Sequence, residues 1–230
     1  PDDKWGWAVG AGILLKMPWN PLDTFAVSAT YAQGATAYVW NVPGSFGARS
    51  NGANLFQDGG VAVGWLDDAY YSDIPTNRGQ LELPKSWNIQ AGFQHYWTNS
   101  LRSSIWASYS KFEASSSSID RIVCTPRGFG SGCTDFNALQ VGSRTIWNPV
   151  TNLDIGLEVM YTKVDTAFGG GRAGNCVPAA GAPCLTAGTP ANIPGVINIQ
   201  NNDVWSGVLR IQRCARITAS RSAKSRLLTA

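Results

Sequence analysis

The run from residue 147 to residue 163, WNPVTNLDIGLEVMYTK, decides the fold. It opens with a turn built from Asn148, Pro149, Thr151 and Asn152. It continues with Leu153, Ile155, Leu157, Val159 and Tyr161 alternating with Asp154, Gly156, Glu158, Met160 and Thr162. A period of two is that of a strand, here with large apolar side chains on one face and mainly small, polar or charged ones on the other. Two architectures use such a strand. In a soluble sandwich the apolar face is the core, whereas in a membrane barrel it meets lipid and the polar face lines a wet lumen.

Working outward, the motif recurs at Trp19-Asn20-Pro21-Leu22-Asp23 and at Trp97-Thr98-Asn99-Ser100-Leu101-Arg102. Each reads as a strand ending in Trp, a few turn residues, and a Leu close to the start of the next strand. Between these short turns the connections are long and rich in Gly, Ser, Pro and Asn. A bacterial outer-membrane barrel has that asymmetry, and its interfacial aromatic girdle accounts for Trp at strand ends. Strands are predicted over 5–15, 23–33, 87–97, 101–113, 135–147, 153–163 and 203–213. Residues 87–97 run from Trp87 to Trp97, and the ten steps between them at about 3.3 Å each, tilted by about 40°, span about 25 Å of membrane. Residues 34–86 are punctuated by Gly, Asn, Asp and Pro and hold Asp67, Asp68, Asp73 and Glu82. Because short turns flank both neighbouring strands, this segment contributes either no membrane crossing or two; it reads as a loop folded into a channel or as a solvated surface loop.

Composition excludes several classes. Of the 230 residues 44% are hydrophobic and only 14% charged, with ten Trp, 25 Gly and one His. No window approaches the 18 to 20 apolar residues of a membrane helix, a test that is blind to barrel strands. The formal charge of +3 does not point to nucleic acid. Four basic residues, Arg216, Arg221, Lys224 and Arg226, stand without an acid in residues 214–230, leaving 14 basic against 15 acidic groups upstream. The chain opens on Pro1 rather than Met, as a mature or fragmentary chain does.

The cysteines fall as Cys124 with Cys133, Cys176 with Cys184, and Cys214 alone. Neither pair has a close-set zinc spacing, and each lies inside one long loop, so two loop disulfides and an oxidising compartment are expected. His95 is the only histidine and has no Cys, Asp or Glu nearby in sequence, which favours an interfacial polar-aromatic role over a metal ligand or catalytic base. No GxSxG elbow occurs, so an enzyme is not expected. By parity, Arg102, Arg144, Asp154, Glu158 and Arg210 share the polar face and are the candidate pore-lining residues. With the turn centred near residue 150, Arg144 should lie opposite Gly156 and diagonal to Glu158. Trp19, Trp87, Trp97, Trp147, Tyr161 and Trp205 are the candidate aromatic girdle. The competing reading is a soluble or surface-exposed all-β adhesin or lectin-like domain, which would bury Trp87, Phe93, Ile155 and Leu157.

Three tracts carry a family resemblance: WNIQAGFQHYWTNSLRSSIWASY (87–109), ALQVGSRTIWNPVTNLDIGLEVMYTKV (138–164) and DVWSGVLRIQR (203–213). They resemble the C-terminal half to two-thirds of the alphaproteobacterial general porins, the trimeric outer-membrane porins of rhizobia and their relatives. The resemblance implies an all-β, antiparallel, up-and-down transmembrane barrel of about 16 strands, of which residues 1–213 supply seven to nine. It further implies a water-filled lumen with a constriction loop, passive diffusion of ions and small hydrophilic solutes, and a homotrimer surrounded by outer-membrane lipid and lipopolysaccharide. No cofactor and no metal are implied. Porins of this type end on a terminal aromatic residue, whereas here Arg213 runs into CARITASRSAKSRLLTA (214–230). That segment departs from the pattern and is expected to be a disordered basic tail.

Overall fold

The computed structural model describes residues 3–40, 51–57, 60–72, 75, 78–114, 117–174, 185–187 and 196–213. In chain order, β1 (Trp7–Lys16) and β2 (Thr24–Gln33) form a hairpin, followed by the short β3 (Asn51–Gln57), β4 (Gly60–Trp65), β5 (Tyr70–Tyr71) and β6 (Leu81–Glu82). Four long strands come next: β7 (Lys85–Thr98), β8 (Leu101–Glu113), β9 (Phe136–Trp147) and β10 (Leu153–Asp165). After them stand β11 (Gly171–Gly174), β12 (Leu185–Ala187), β13 (Val196–Ile199) and the long β14 (Asn202–Arg213). The long strands make one antiparallel sheet in the order β1-β2-β7-β8-β9-β10-β14, a meander whose edges β1 and β14 do not meet.

Every register in this sheet pairs residues of like parity: Val9 with Tyr31, Tyr31 with Trp87, Ile89 with Tyr109, Tyr109 with Leu139, Leu139 with Lys163, Tyr161 with Trp205. The side-chain period is two, so odd-numbered residues of all seven strands share one face and even-numbered residues the other. The pattern read from each strand thereby becomes a property of the whole sheet. It lapses only at a bulge between Tyr96 and Thr98, where β7 enters its turn.

Short turns crowd one end of the sheet and long connections the other. Residues 17–23, 99–100 and 148–152 close the short end, with Asn20 and Thr98 side chains accepting hydrogen bonds from backbone N–H groups, as Asx and Ser/Thr turns do. In the third turn Asn152 takes a left-handed backbone, φ 74°, which Asn tolerates better than most residues. That conformation sets the register, Trp147 opposite Ile155 and Arg144 opposite Glu158. The expected pairing of Arg144 with Gly156 was two residues out, because the turn is centred beyond residue 150.

At the long-connection end the even face is covered. Segment 34–84 adds no strand to the wall, since β2 pairs directly with β7. Its β3 and β4 join β13, β11 and β12 in a second, five-stranded sheet with β13 and β4 parallel. Of the alternatives open for 34–86, no membrane crossing or two, the structure takes the first, and this segment and the connection 165–202 both contain short strands, joined by hydrogen bonds distant in sequence: Ala167 N–H to Val63 O at 2.9 Å, Gln200 N–H to Val61 O at 3.1 Å, and Val63 N–H to Thr166 Oγ1 at 2.8 Å. Beneath lies a core of Ala32, Trp40, Leu66, Phe112, Phe136 and Phe168, with Trp40 Nε1 donating to Ser86 Oγ at 2.6 Å. Gly34 turns the chain out of β2 at φ +65°.

The connection 114–135, expected as loop, contains a short helical run, Ser117–Ile119, Asp120–Cys124 and Thr125–Arg127. Asp120 ties it down by accepting from Gly132 N–H at 2.7 Å and from Ser131 Oγ. Cys124 and Cys133 are joined by a disulfide with Cα atoms 5.7 Å apart, a normal separation. Cys176, Cys184, Cys214 and the basic segment 214–230 lie outside the described residues.

Trp40 fills the centre of the covering core, and Trp→Ala in a core costs about 3–5 kcal/mol. Trp40→Ala should therefore open segment 34–84 to limited proteolysis while circular dichroism still reports the folded wall. Unchanged cleavage would show that the segment does not depend on the even face for its structure.

Candidate functional site

Parity divides the wall into two surfaces of opposite chemistry. On the odd face large apolar side chains stand in the open: Leu157 is 56% exposed, Trp205 69%, Leu209 68% and Ile211 67%. A soluble protein rarely leaves so continuous a patch uncovered. Aromatic residues gather at its two heights. Toward the long-connection end Trp7 packs on Tyr31 (5.4 Å between ring centroids), Trp87 on Tyr109 (5.3 Å) and Tyr161 on Trp205 (5.1 Å). At the short-turn end stand Trp19, Trp97 and Trp147, all exposed. No helix among the described residues is long and apolar enough to cross a membrane.

On the odd face Lys111 pairs with Glu113 and Lys163 with Asp165 at the long-connection end, beside the outer aromatic level, whereas the even face carries charge farther toward the short turns. Arg144 Nε contacts Glu158 Oε2 at 2.6 Å across the β9–β10 hairpin, with side chains 48% and 27% exposed. Exposed pairs of this kind contribute about 0.2–1 kcal/mol, so this one positions charge more than it stabilises. Asn148 bridges the next two groups, its Oδ1 accepting from Arg102 Nη1 at 3.1 Å and its Nδ2 donating to Asp154. Arg210 faces Gly156, and among the described residues its guanidinium has no ion-pair partner. Of the five candidate pore-lining residues, Arg144, Asp154, Glu158 and Arg210 line one groove of about 170 Å³. Arg102 lies a strand away, its guanidinium 5.9 Å from the Tyr96 ring.

Sequence reading missed one cluster on the opposite face. Asp23 ends the first short turn, is fully buried, and accepts from Tyr96 N–H (2.9 Å), Asn20 Nδ2 (3.0 Å) and Trp19 Nε1 (3.1 Å), with His95 Nδ1 at 2.7 Å. Its partner is 72 residues away in sequence, which is why no local spacing disclosed it; a Trp-Asn-x-x-Asp turn beside a strand end was the available signal. Burial pushes the Asp23 carboxyl up, but the hydrogen bonds from Tyr96, His95 and Trp19 and the nearby His95 charge outweigh it and hold it below its ordinary value. Ser103 lies directly across from His95, yet it bonds Trp97 Nε1 (3.1 Å) and Thr145 (2.9 Å). The Asp–His pair is therefore a tie between turn and strand, with no nucleophile engaged. Among the described residues no three His, Cys, Asp or Glu side chains gather as a metal site.

An antiparallel meander with an exposed apolar face, two aromatic levels and a charged opposite face is the wall of a transmembrane β-barrel. The family comparison gives the same class: the family described as Porin subfamily matches residues 1–188, and the chain belongs to it. It is a porin, a channel protein of the bacterial outer membrane. No curated protein and no solved structure matched the chain.

Because the folded Asp23 carboxyl sits below its unfolded value of about 3.9, its contribution is present above that pH and is lost as pH falls through the lower, folded value. The urea midpoint of the detergent-folded protein should drop as pH is lowered below about 4. Asp23→Asn should lower the midpoint at neutral pH and flatten that acid dependence. Parallel pH curves for the two proteins would remove Asp23 from this role.

Proposed function

We propose that the even face lines a water-filled channel through which ions and small hydrophilic solutes diffuse across the outer membrane of a Gram-negative bacterium. In this reading the odd face meets lipid and the lipopolysaccharide of the outer leaflet. Trp19, Trp97 and Trp147 mark the periplasmic interface, and Trp87, Tyr161 and Trp205 the outer one. The observation that carries it is the shared parity of seven strands, which gathers exposed Trp7, Ile89, Ile105, Leu157, Trp205 and Leu209 on the odd face, while on the even face of the wall the exposed large apolar side chains, Leu14, Val204 and Val208, stand on the two edge strands. An adhesin-like sandwich would need that same face buried, and Trp205, Leu209 and Ile211 stand open.

Arg102, Arg144, Asp154, Glu158 and Arg210 then line the lumen and set its field. Fixed charges of both signs hold water and orient passing dipoles, while an apolar solute must shed its hydration to follow. The sheet that covers the even face near Phe112 and Phe136 narrows the passage at the outer end. The unpaired edges β1 and β14 require partners in lipid, where each unsatisfied backbone group costs several kcal/mol. The resemblance to alphaproteobacterial porins supplies them as further strands of a barrel of about 16, assembled as a homotrimer.

Completed with the further strands that its two edges require and reconstituted in planar bilayers, the protein should give stable conductance steps, whereas the seven-stranded sheet alone should insert poorly because its edge amides stay unpaired in lipid. Arg144→Glu should shift the reversal potential in a salt gradient toward cation preference, since it places two acids opposite one another where a neutral pair stood. A reversal potential unchanged by the substitution would take Arg144 off the ion path, and absence of conductance would refute the channel.

A further inference from the structure

One aromatic side chain stands at mid-height on the polar face. Trp106 on β8 is flanked in its cross-strand row by two glycines, Gly92 on β7 and Gly142 on β9. A Cβ at Gly142 would come within 2.4 Å of Trp106 Cζ2, so the indole takes the place of a side chain there and lies against the strand. At Gly92 a Cβ would meet only ordinary contacts near 3.5 Å. On that side the row runs on through Ala26 to Leu14. The outcome is a groove of about 460 Å³ with Gly12, Ala26 and Gly92 in its floor and Trp106 and Leu14 as flanks.

One row outward, Ser28, Gln90 and Ser108 pair across the strands and edge the same groove. Gln90 Nε2 donates to Ser28 Oγ at 2.9 Å, which leaves the Gln90 carbonyl and the Ser28 and Ser108 hydroxyl hydrogens to offer a ligand. The Trp106 indole N–H has no hydrogen-bond partner among the described residues. None of the residues lining this groove is ionisable, whereas the groove on β9, β10 and β14 is lined by Arg144, Asp154, Glu158 and Arg210. Arg144 reaches the far side of Trp106, its guanidinium 5.6 Å from the ring centroid, so the indole stands at the seam between the charged groove and one whose own lining carries no charge.

We propose that the groove beside Trp106 is a binding site for neutral pyranose sugars, a solute class that rests on the even face being the wet one. A pyranose has an apolar C–H face and a rim of hydroxyls. The C–H face suits the negative face of an indole, and the hydroxyls suit the amide and hydroxyl edge. The volume falls in the range of small-molecule sites. An inorganic ion has no apolar face to lay on the ring, and an open-chain polyol has hydroxyls but no flat apolar face. A weak, mid-channel site of this kind holds a sugar briefly and favours its entry over that of other neutral solutes of equal size.

The test is saturation-transfer NMR of maltose with the protein folded in lauryldimethylamine oxide, a detergent without sugar, using mannitol as the control. Maltose should bind saturably, and more tightly than mannitol. Trp106→Ala should weaken it about tenfold, the effect of losing roughly one aromatic contact, and Trp106→Phe should retain most of the affinity. Ala26→Phe, which fills the floor and leaves Trp106 in place, should abolish binding and serves if Trp106→Ala does not fold. The proposal is overturned if the folded wild-type protein does not bind maltose, if mannitol binds equally well, or if Trp106→Ala or Ala26→Phe binds as the wild type does. Maltose binding without conductance in bilayers would refute the channel reading and leave this site standing; conductance without maltose binding would do the reverse.

Discussion

Everything in this fold depends on the backbone hydrogen bonds of the seven-stranded ladder and on their keeping one register parity from β1 to β14. In lipid no water is available to satisfy an amide, so each strand must be paired along its length by its neighbours. With a side-chain period of two, a slip of one residue anywhere would bring Arg144 or Glu158 to the apolar face and Leu157 to the polar one. A charge displaced onto the lipid face near mid-membrane costs about 2–4 kcal/mol for Arg or Lys. The apolar face therefore enforces the register, and the register places the lumen charges.

The even face is put to two uses along its length. At the outer end Phe112, Phe136 and Ala32 are buried under the sheet formed by segments from two of the long connections, 34–84 and 166–201. Toward the short turns the same face is open and charged. The strands thus change from apolar to polar along one face, which a helix-like or uniform reading of amphipathicity would not reveal. On the odd face the Asp23 cluster joins the first turn to β7 and gives the short-turn end a buried polar anchor.

The wall was legible in the sequence because alternation is local: Leu153 to Thr162 announces a strand and its two faces without reference to any partner. The short turns were legible through Trp, Asn and Pro. The pairing of Arg144 was not, since it turned on the left-handed conformation of Asn152 rather than on the count of turn residues. The covering sheet was illegible for a different reason. Its strands are short, and the bonds that assemble them join residues about a hundred positions apart, such as Val63 with Thr166. Phe112 and Trp106 interrupt the polar face of β8; one is the floor of the outer core, and the other leans on Gly142. His95 has no Cys, Asp or Glu near it in sequence, and the acid it meets, Asp23, comes from the first turn 72 residues away.

The central claim is that odd positions meet lipid and even positions meet water. Spin labels placed one at a time from Val204 to Ile211, in protein reconstituted in bilayers, measure this directly through collision with oxygen, which concentrates in lipid, and with a water-soluble nickel chelate. The account predicts a period of two, oxygen contact highest at Trp205, Gly207, Leu209 and Ile211 and nickel contact highest at Val204, Ser206, Val208 and Arg210. The opposite phase, or no alternation at all, would contradict it.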